Sequence, residues 1–475
     1  MTTADLLVAL PELFVLSMAC IIMLVDLYIS SNRRGIVNFI SVLTLLLTAM
    51  LVMRHMTEAD TAIYAFSDTF IRDRMGDILK VFAALVLASI LIYAKHYLQM
   101  FELQRGEFYV LSLFLLLGCM VLISAANLLT VYLGLELIAL TSYALVSLNR
   151  DNKKGSEAAM KYFVLGSLAS GLILYGMSML YGVSGSLDLS TIANLQGINS
   201  DLVMIFGLVF IVIGIAFKLG AVPFHMWVPD VYQGAPALIT MLIGSVPKLA
   251  AFGMAIRLLD NGLFELHDQW MGMLTVLAAL SIIIGNLVAI AQTNIKRMLA
   301  YSTISHMGFL MLGILAGSSQ GYSASMFYAI TYAIVNVGAF AMLIMLSKAG
   351  VEAENLDDYK GLNKRNPWFA AIMLMLMFSL AGVPVFVGFF AKWLVIQAVI
   401  DAGLLWLAIL AVIFSVIGAF YYLRIVKLMY FDEPEITTPV HAPADFRAML
   451  SINGLAQLML GIFANVLIAL CVSAF

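Results

Sequence analysis

The chain has 475 residues, of which 63% are hydrophobic and only 11% charged, with a mean hydropathy of +1.02 and a formal net charge of −3. A soluble domain carries roughly 25% charged residues to make a wet surface; that surface is missing here, so lipid is the solvent around most of the chain. The small net charge gives no basis for a nucleic-acid partner or any other strongly charged one.

The first twenty residues, MTTADLLVALPELFVLSMAC, lack the basic n-region and small-residue cleavage site of a signal peptide. They read as an uncleaved first span. A helix needs roughly 20 apolar residues to cross the hydrocarbon core. Candidate spans follow in order at 5–28, 36–53, 77–94, 108–124, 127–148, 158–182, 202–222 and 237–259. The series continues at 270–291, 297–315, 323–347, 368–399, 403–425 and 450–472, about fourteen in all. The segments do not alternate over about ten residues as barrel strands do. The expected fold is therefore all-α, a polytopic membrane protein forming one bundle over 1–475. Cys20, Cys119 and Cys471 are scattered in apolar runs without CxxC spacing. They read as buried small hydrophobes, not as ligands of an iron–sulfur cluster, which needs about four clustered thiolates.

Lys and Arg accumulate in the cytoplasmic loops of membrane proteins. One alternate set of loops holds Arg33, Arg34, Lys95, Arg105, Arg150, Lys153, Lys154, Lys161, Lys296 and Arg297, then Lys348, Lys360, Lys364, Arg365, Arg424, Lys427 and Arg447. The other set holds Arg54, Arg72, Arg74 and Arg257, so the balance is about seventeen against four. The first set is expected to face the cytoplasm, with both termini on the outer, periplasmic side of a bacterial inner membrane.

After three N-terminal spans (1–107), spans four to eight (108–260) and nine to thirteen (270–428) make two groups of five, followed by a C-terminal loop and last helix (429–475). An odd group size makes the second group enter from the opposite side, which is the signature of an inverted repeat. The fourth member of each group carries the same irregularity. Span seven contains FKLGAVPFHMW and span twelve LAGVPVFVGFFAKW, each with glycines and a Val-Pro step, at Pro223 and Pro384. Proline removes a backbone donor and clashes with the preceding turn, so both helices are expected to be broken. Matched broken helices point to an ion site at the repeat interface.

Four charges lie inside the apolar spans: Glu136 in span five, Lys218 beside the first break, Lys248 in span eight directly after Pro247, and Lys392 beside the second break. A charge at the bilayer centre costs about 3 kcal/mol on insertion scales, and such residues line bundle interiors, water paths or proton relays. A static Glu136–Lys218 pair accounts for two of them and leaves Lys248 and Lys392 without carboxylates in their own or adjacent spans. Burial favours the neutral form of a lysine and a nearby carboxylate the charged form, so a moving partner makes lysines take up and release protons. His225 and His306 add imidazoles that titrate near neutral pH, or serve as hydrogen-bonded interior histidines. Tyr301, Ser302, Thr303 and Ser305 either hold water beside His306 or bond backbone carbonyls. Glu12 and Asp26, near the ends of span one, are expected at the solvated interface. The sequence contains no dinucleotide-binding GxGxxG after a strand, no Walker loop, no HExxH and no haem ligand pair. No cofactor or metal site is expected in this chain.

The segments FKLGAVPFHMWVPDVYQGAP, QTNIKRMLAYSTISHMGF and LAGVPVFVGFFAKW resemble those of the antiporter-like subunits of respiratory complex I, the type-1 NADH:quinone oxidoreductase. The likeness runs from span three or four to span thirteen. Within that family, the form WVPDVYQGAP, a lysine rather than an acid at Lys392, and an end soon after span fourteen favour one branch. The resemblance implies that Glu136, Lys218, Lys248 and Lys392 are the proton relay, with His225 and His306 matching histidines of the same motifs. Pro247 is a local departure that bears on the placement of Lys248. The resemblance also implies a membrane-arm position beside subunits M, K, J, A and L and membrane lipids, with NADH, FMN, iron–sulfur clusters and quinone held by partner subunits. The implied activity is a non-redox part of a proton-translocating enzyme. Two other readings share these features: a subunit of a multi-subunit cation/proton antiporter, and a passive scaffold.

Overall fold

A computed structural model describes residues 3–30, 34–56, 62–195, 202–348, 350–434 and 442–475. Arg33, counted above among the basic loop residues, lies outside the described residues. The long helices are α1 (Leu10–Tyr28), α2 (Gly35–Met56), α3 (Arg74–Met100), α4 (Glu107–Ile123), α5 (Leu128–Val146), α6 (Lys153–Ser184) and α7 (Leu202–Leu219). A short hairpin, β1 (Ile63–Ala65) against β2 (Phe70–Arg72), joins α2 to α3. The chain continues through α8 (Trp227–Gly234), α9 (Ala237–Ile243), α10 (Val246–Ala255), α11 (His267–Ile290), α12 (Ile295–Leu315) and α13 (Ser319–Leu346). It ends with α14 (Pro367–Ala381), α15 (Val387–Asp401), α16 (Leu405–Phe431), α17 (Ala444–Ile462) and α18 (Ala464–Val472).

Among the described residues, 11 helices are long and apolar enough to cross a membrane, or 12 if α17 and α18, bent by 76° at their junction, make one span. α4 and α14 are apolar but shorter. The chain is a multi-pass, all-α membrane protein.

Helix starts follow from polar residues that take up the free amides of the first turn. Asp73 accepts from the Gly76 N–H, Asn152 from Lys154 and Gly155, Ser318 from Gly321, and Asn366 from Phe369. The short gap between α4 and α5 is a real break, because Asn127 caps α5 through the Leu129 N–H at 2.9 Å.

The same small motif occurs before α5 and before α12. At the first, the Leu128 N–H donates to the Leu187 carbonyl, the Leu189 N–H to Ala126, and the Asn127 side chain to Asp188 at 2.6 Å. At the second, the Ile295 N–H donates to Glu354, the Leu356 N–H to Thr293, and the Asn294 side chain to Glu354 at 2.8 Å. Each joins the start of one helix to the strap that follows the next helix.

The centre of the molecule is α9, α10, α12 and α13. Every residue of α9 and α10 is buried. The outer faces of α6 and α16 expose apolar residues such as Phe163, Leu168, Val416 and Phe420, as lipid contact requires.

Four expectations from the sequence are corrected. Glu12 is not interfacial: it is 5% exposed and pairs at 2.6 Å with Lys80, a fourth lysine inside the spans that hydropathy alone hides in α3. Arg257, counted as a loop charge, is buried and holds Asp73 with two hydrogen bonds of 2.6 and 2.7 Å. Lys296, counted likewise, is 1% exposed and pairs with Glu352 at 2.6 Å. In each case a partner distant in sequence repays the desolvation. Cys20 lies on the exposed face of α1, while Cys119 and Cys471 are buried.

Candidate functional site: a polar axis through the bundle

Both Val-Pro steps interrupt their helices. α7 stops at Leu219 and regular helix resumes only at Trp227, with Pro223 in the turn between. α14 stops at Ala381 and α15 begins at Val387, with Pro384 between. Gly220 and Gly382 adopt φ of +79° and +84° directly after the last helical residues, a conformation that ends a helix and that glycine adopts without penalty. A third break separates α9 from α10 at Gly244–Ser245, three residues before Lys248.

A helix that ends inside a membrane leaves carbonyls without partners, at the negative end of its dipole. At both proline breaks a lysine answers them. Lys248 Nζ donates to the carbonyls of Lys218 and Leu219 at 3.0 and 2.8 Å, and stands 5.2 Å from the centre of the Trp227 ring. Trp227 is fixed in turn by donation to the Phe217 carbonyl. Lys392 Nζ donates to the Ala381 carbonyl and to Ser415 Oγ, both at 2.9 Å, and stands 5.2 Å from the Phe309 ring centre. In geometry, therefore, Lys392 corresponds to Lys248. The sequence pairing of Lys392 with Lys218 rests on nearness to the break, whereas the cap comes from the helix that packs onto it. Pro247 lies in the first turn of α10, where proline is tolerated, and leaves Lys248 on the carbonyls.

Glu136 lies on α5 and Lys218 next to the last residue of α7. Among the described residues they form no ion pair, and the buried Glu136 Oε1 has no hydrogen-bond partner. A static pair does not describe them. His225 is 9% exposed beside the first break, and its Nδ1 is likewise unpartnered.

His306 sits in the other half of the bundle. Its Nδ1 meets Tyr328 Oη at 2.6 Å and its Nε2 meets Tyr422 Oη at 3.0 Å. Tyr422 is also hydrogen-bonded to Ser302. A cavity of about 20 Å³ lies between His306 and the span-twelve break, lined by Tyr328, Tyr332, Ser379 and Gly388 among others. That is room for about one water with several polar partners.

Three residues that sequence reasoning missed join the two halves. Tyr328, Tyr332 and Asn336 recur at every fourth position and so share one face of α13. Tyr328 meets His306, Tyr332 donates to Thr303 at 2.7 Å, and Asn336 donates to Ser245 at 2.9 Å in the break before Lys248. The signal was available as a Tyr-x3-Tyr-x3-Asn stripe in that helix. The order along the bundle is Glu136, Lys218, Lys248, the α13 stripe, His306 and Lys392. Among the described residues no group of three or more His, Cys, Asp or Glu side chains is arranged to hold a metal ion.

Broken helices capped by buried lysines, and a polar file between them, define the class of membrane proteins that move ions through a helical bundle. Residues 125–418 match the family model for the transmembrane region of NADH:quinone oxidoreductase and Mrp antiporters. The chain is 54% identical over 473 residues to NADH-quinone oxidoreductase subunit N of Thioalkalivibrio sulfidiphilus, covering 99% of this chain and 98% of the relative. It is 53% identical to subunit N of Thiobacillus denitrificans, covering 98% and 96%. A chain of respiratory complex I from Thermus thermophilus matches with a TM-score of 0.84 at 29% identity, covering 98% of this chain and 100% of that one. A chain of the Mrp complex from Dietzia has the same fold, with a TM-score of 0.87 at 20% identity, covering 100% and 97%. The chain belongs to the NADH-quinone oxidoreductase subunit N family.

Proposed function

We propose that this chain is a proton-translocating membrane-arm subunit of NADH:quinone oxidoreductase, carrying protons from the cytoplasmic to the outer side through the polar axis. The observation that carries the proposal is the capping of both helix breaks by Lys248 and Lys392, with a hydrogen-bonding face on α13 between them. An ammonium that holds helix-end carbonyls holds them less strongly once it deprotonates and loses its charge, so its charge state and the closure of the break are linked. Glu136, without an ion-pair partner, is free to approach or leave Lys218. Approach to within ~4–6 Å favours the charged lysine and withdrawal favours release of its proton. The released proton has Lys248, the α13 hydroxyls, His306 and the water-sized cavity as its route to Lys392. Its neighbours in this reading are the membrane-arm subunits M, K, J, A and L, while NADH, FMN, the iron–sulfur clusters and quinone lie in other subunits of the complex.

The reading includes fourteen spans, reached by counting α4, the bent α17–α18 pair, and α14 with α15 as one broken span. It includes two inverted five-helix repeats, 108–260 and 270–428, supported by the matched motifs at Asn127 and Asn294. It also places the basic end at the cytoplasm of a bacterial inner membrane. The Mrp likeness supports the same fold in an antiporter, while the whole-chain relatives favour the oxidoreductase.

The test is Glu136→Ala and Lys218→Ala in the assembled complex, with proton translocation and NADH oxidation measured together in sealed membrane vesicles. Translocation falls in both variants while the complex stays assembled. Translocation at the unsubstituted level in both would refute the relay.

A further inference from the structure

The basic end of the molecule opens into a cavity of about 830 Å³. One wall is Asp230, held by Lys161 and Arg297 at 2.9 Å each. Its floor is a second and tighter cluster centred on Glu352. Two reciprocal backbone hydrogen bonds join Lys348 and Val351 just before Glu352, with Gly350 at φ +80°. One carboxylate oxygen accepts from Tyr97 of α3 and from the Ala237 N–H at 2.7 Å, and the other accepts from Lys296 of α12 at 2.6 Å. Lys296 also donates to the Ala235 carbonyl at 2.7 Å and to Glu354 at 3.3 Å. Glu352 and Lys296 thus clasp the chain on both sides of Pro236, where α9 begins.

The matched motif at the other end of the molecule shows that the fold does not require this clasp. Counting from the paired asparagines, Lys296 corresponds to Leu129. Counting from the paired carbonyls, Glu352 corresponds to Gly185. Leu129 is exposed, and Gly185 has no side chain to offer. The backbone motif forms equally well there. The ion pair is added only where the strap meets α9, and α9 leads through the Gly244–Ser245 break to Lys248. From Ala237 to Lys248 is about 16 Å along a helix.

We infer that Glu352 is a positioning residue of the proton relay: it anchors the cytoplasmic half of span eight to the second repeat, and so sets where Lys248 stands on the break of span seven. The anchor is electrostatic. Burial of Glu352 alone would raise its carboxyl, but the Lys296 ammonium and the hydrogen bonds from Lys296, Tyr97 and Ala237 hold it below the usual range. The carboxylate therefore stays charged while protons pass. Because the strap 350–366 runs on from Glu352 into α14, the first half of the second broken span, one loop ties the entrances of both breaks together. The inference rests on the relay reading, since Lys248 must carry protons for its position to matter.

The test uses the whole complex in sealed vesicles, with Glu352→Gln, Glu352→Asp and Tyr97→Phe measured beside Lys218→Ala. Glu352→Gln is expected to assemble and to lose proton translocation per NADH oxidised by about tenfold, the factor that corresponds to about 1.4 kcal/mol. Glu352→Asp, which keeps the charge, restores most of it, and Tyr97→Phe loses less than Glu352→Gln. Rescue by the aspartate is what a merely space-filling residue would not show. If Lys218→Ala loses translocation and Glu352→Gln does not, the inference fails and the relay stands. If Lys218→Ala pumps normally, the relay itself fails. Should Glu352→Gln not assemble, Tyr97→Phe decides: impaired translocation supports the anchor, and full translocation overturns it.

Discussion

At the scale of single residues, the buried charges divide by whether they have a partner. Lys80, Arg257 and Lys296 each face a carboxylate within 2.6 Å, and removing one member of such a pair leaves the other uncompensated. Lys248 and Lys392 instead face backbone carbonyls and a hydroxyl, and Glu136 Oε1 is buried without a hydrogen-bond partner. The division gives Glu352 a definite pH signature. Its folded carboxyl is held below the unfolded value of about 4.3, so its contribution to stability is complete above that value and is lost as pH falls through the folded one. Thermal unfolding of the purified protein is therefore expected to weaken more on acidification from neutral pH to below about 4.3 than that of Glu352→Gln. An equal loss in both proteins would show that Glu352 is not the titrating contributor. Glu136, Lys218, Lys248 and Lys392 were legible in the sequence because a charge in an apolar run is costly wherever it folds. Lys296 and Arg257 were not, because a charge at the end of a span looks the same whether it reaches water or a buried acid. Only the partner, Glu352 or Asp73, separates the cases, and each partner is far away in sequence.

At the scale of elements, the breaks matter more than the spans. The glycine and Val-Pro pattern marked both interruptions, since the backbone chemistry of these residues is local. Which lysine caps which helix was not legible, because Lys248 arrives from a different span and in a register set by packing of α9 and α10. The α13 stripe was a weaker signal: the same helix carries Ser323, Ser325 and Thr331, so spacing alone did not single out Tyr328, Tyr332 and Asn336. It gains a role from what it touches, His306 at one end and Ser245 at the other. Tyr332→Phe removes one hydroxyl from the middle of that face and leaves the ring packed. It is expected to lower proton translocation while leaving assembly and thermal stability near those of the parent, as the loss of one hydrogen bond of about 1 kcal/mol allows. Unchanged translocation would place the route elsewhere in the bundle.

For the whole molecule, two features act together: an apolar exterior that fixes the chain in lipid, and a polar axis that crosses from one half to the other. The all-α membrane-spanning bundle followed from hydropathy, because lipid imposes it on any sequence. The proposed orientation predicts that the C-terminus is outside. A cysteine added after Phe475 is expected to react with a membrane-impermeant thiol reagent in intact spheroplasts but not in inverted vesicles; the opposite pattern would reverse the direction of the relay. The central claim, that protons cross both halves, is tested most directly at its far end. Lys392→Ala in sealed vesicles, with proton translocation recorded against NADH oxidation, should give an assembled complex whose translocation is largely lost. Translocation at the parental rate from that variant would contradict the account.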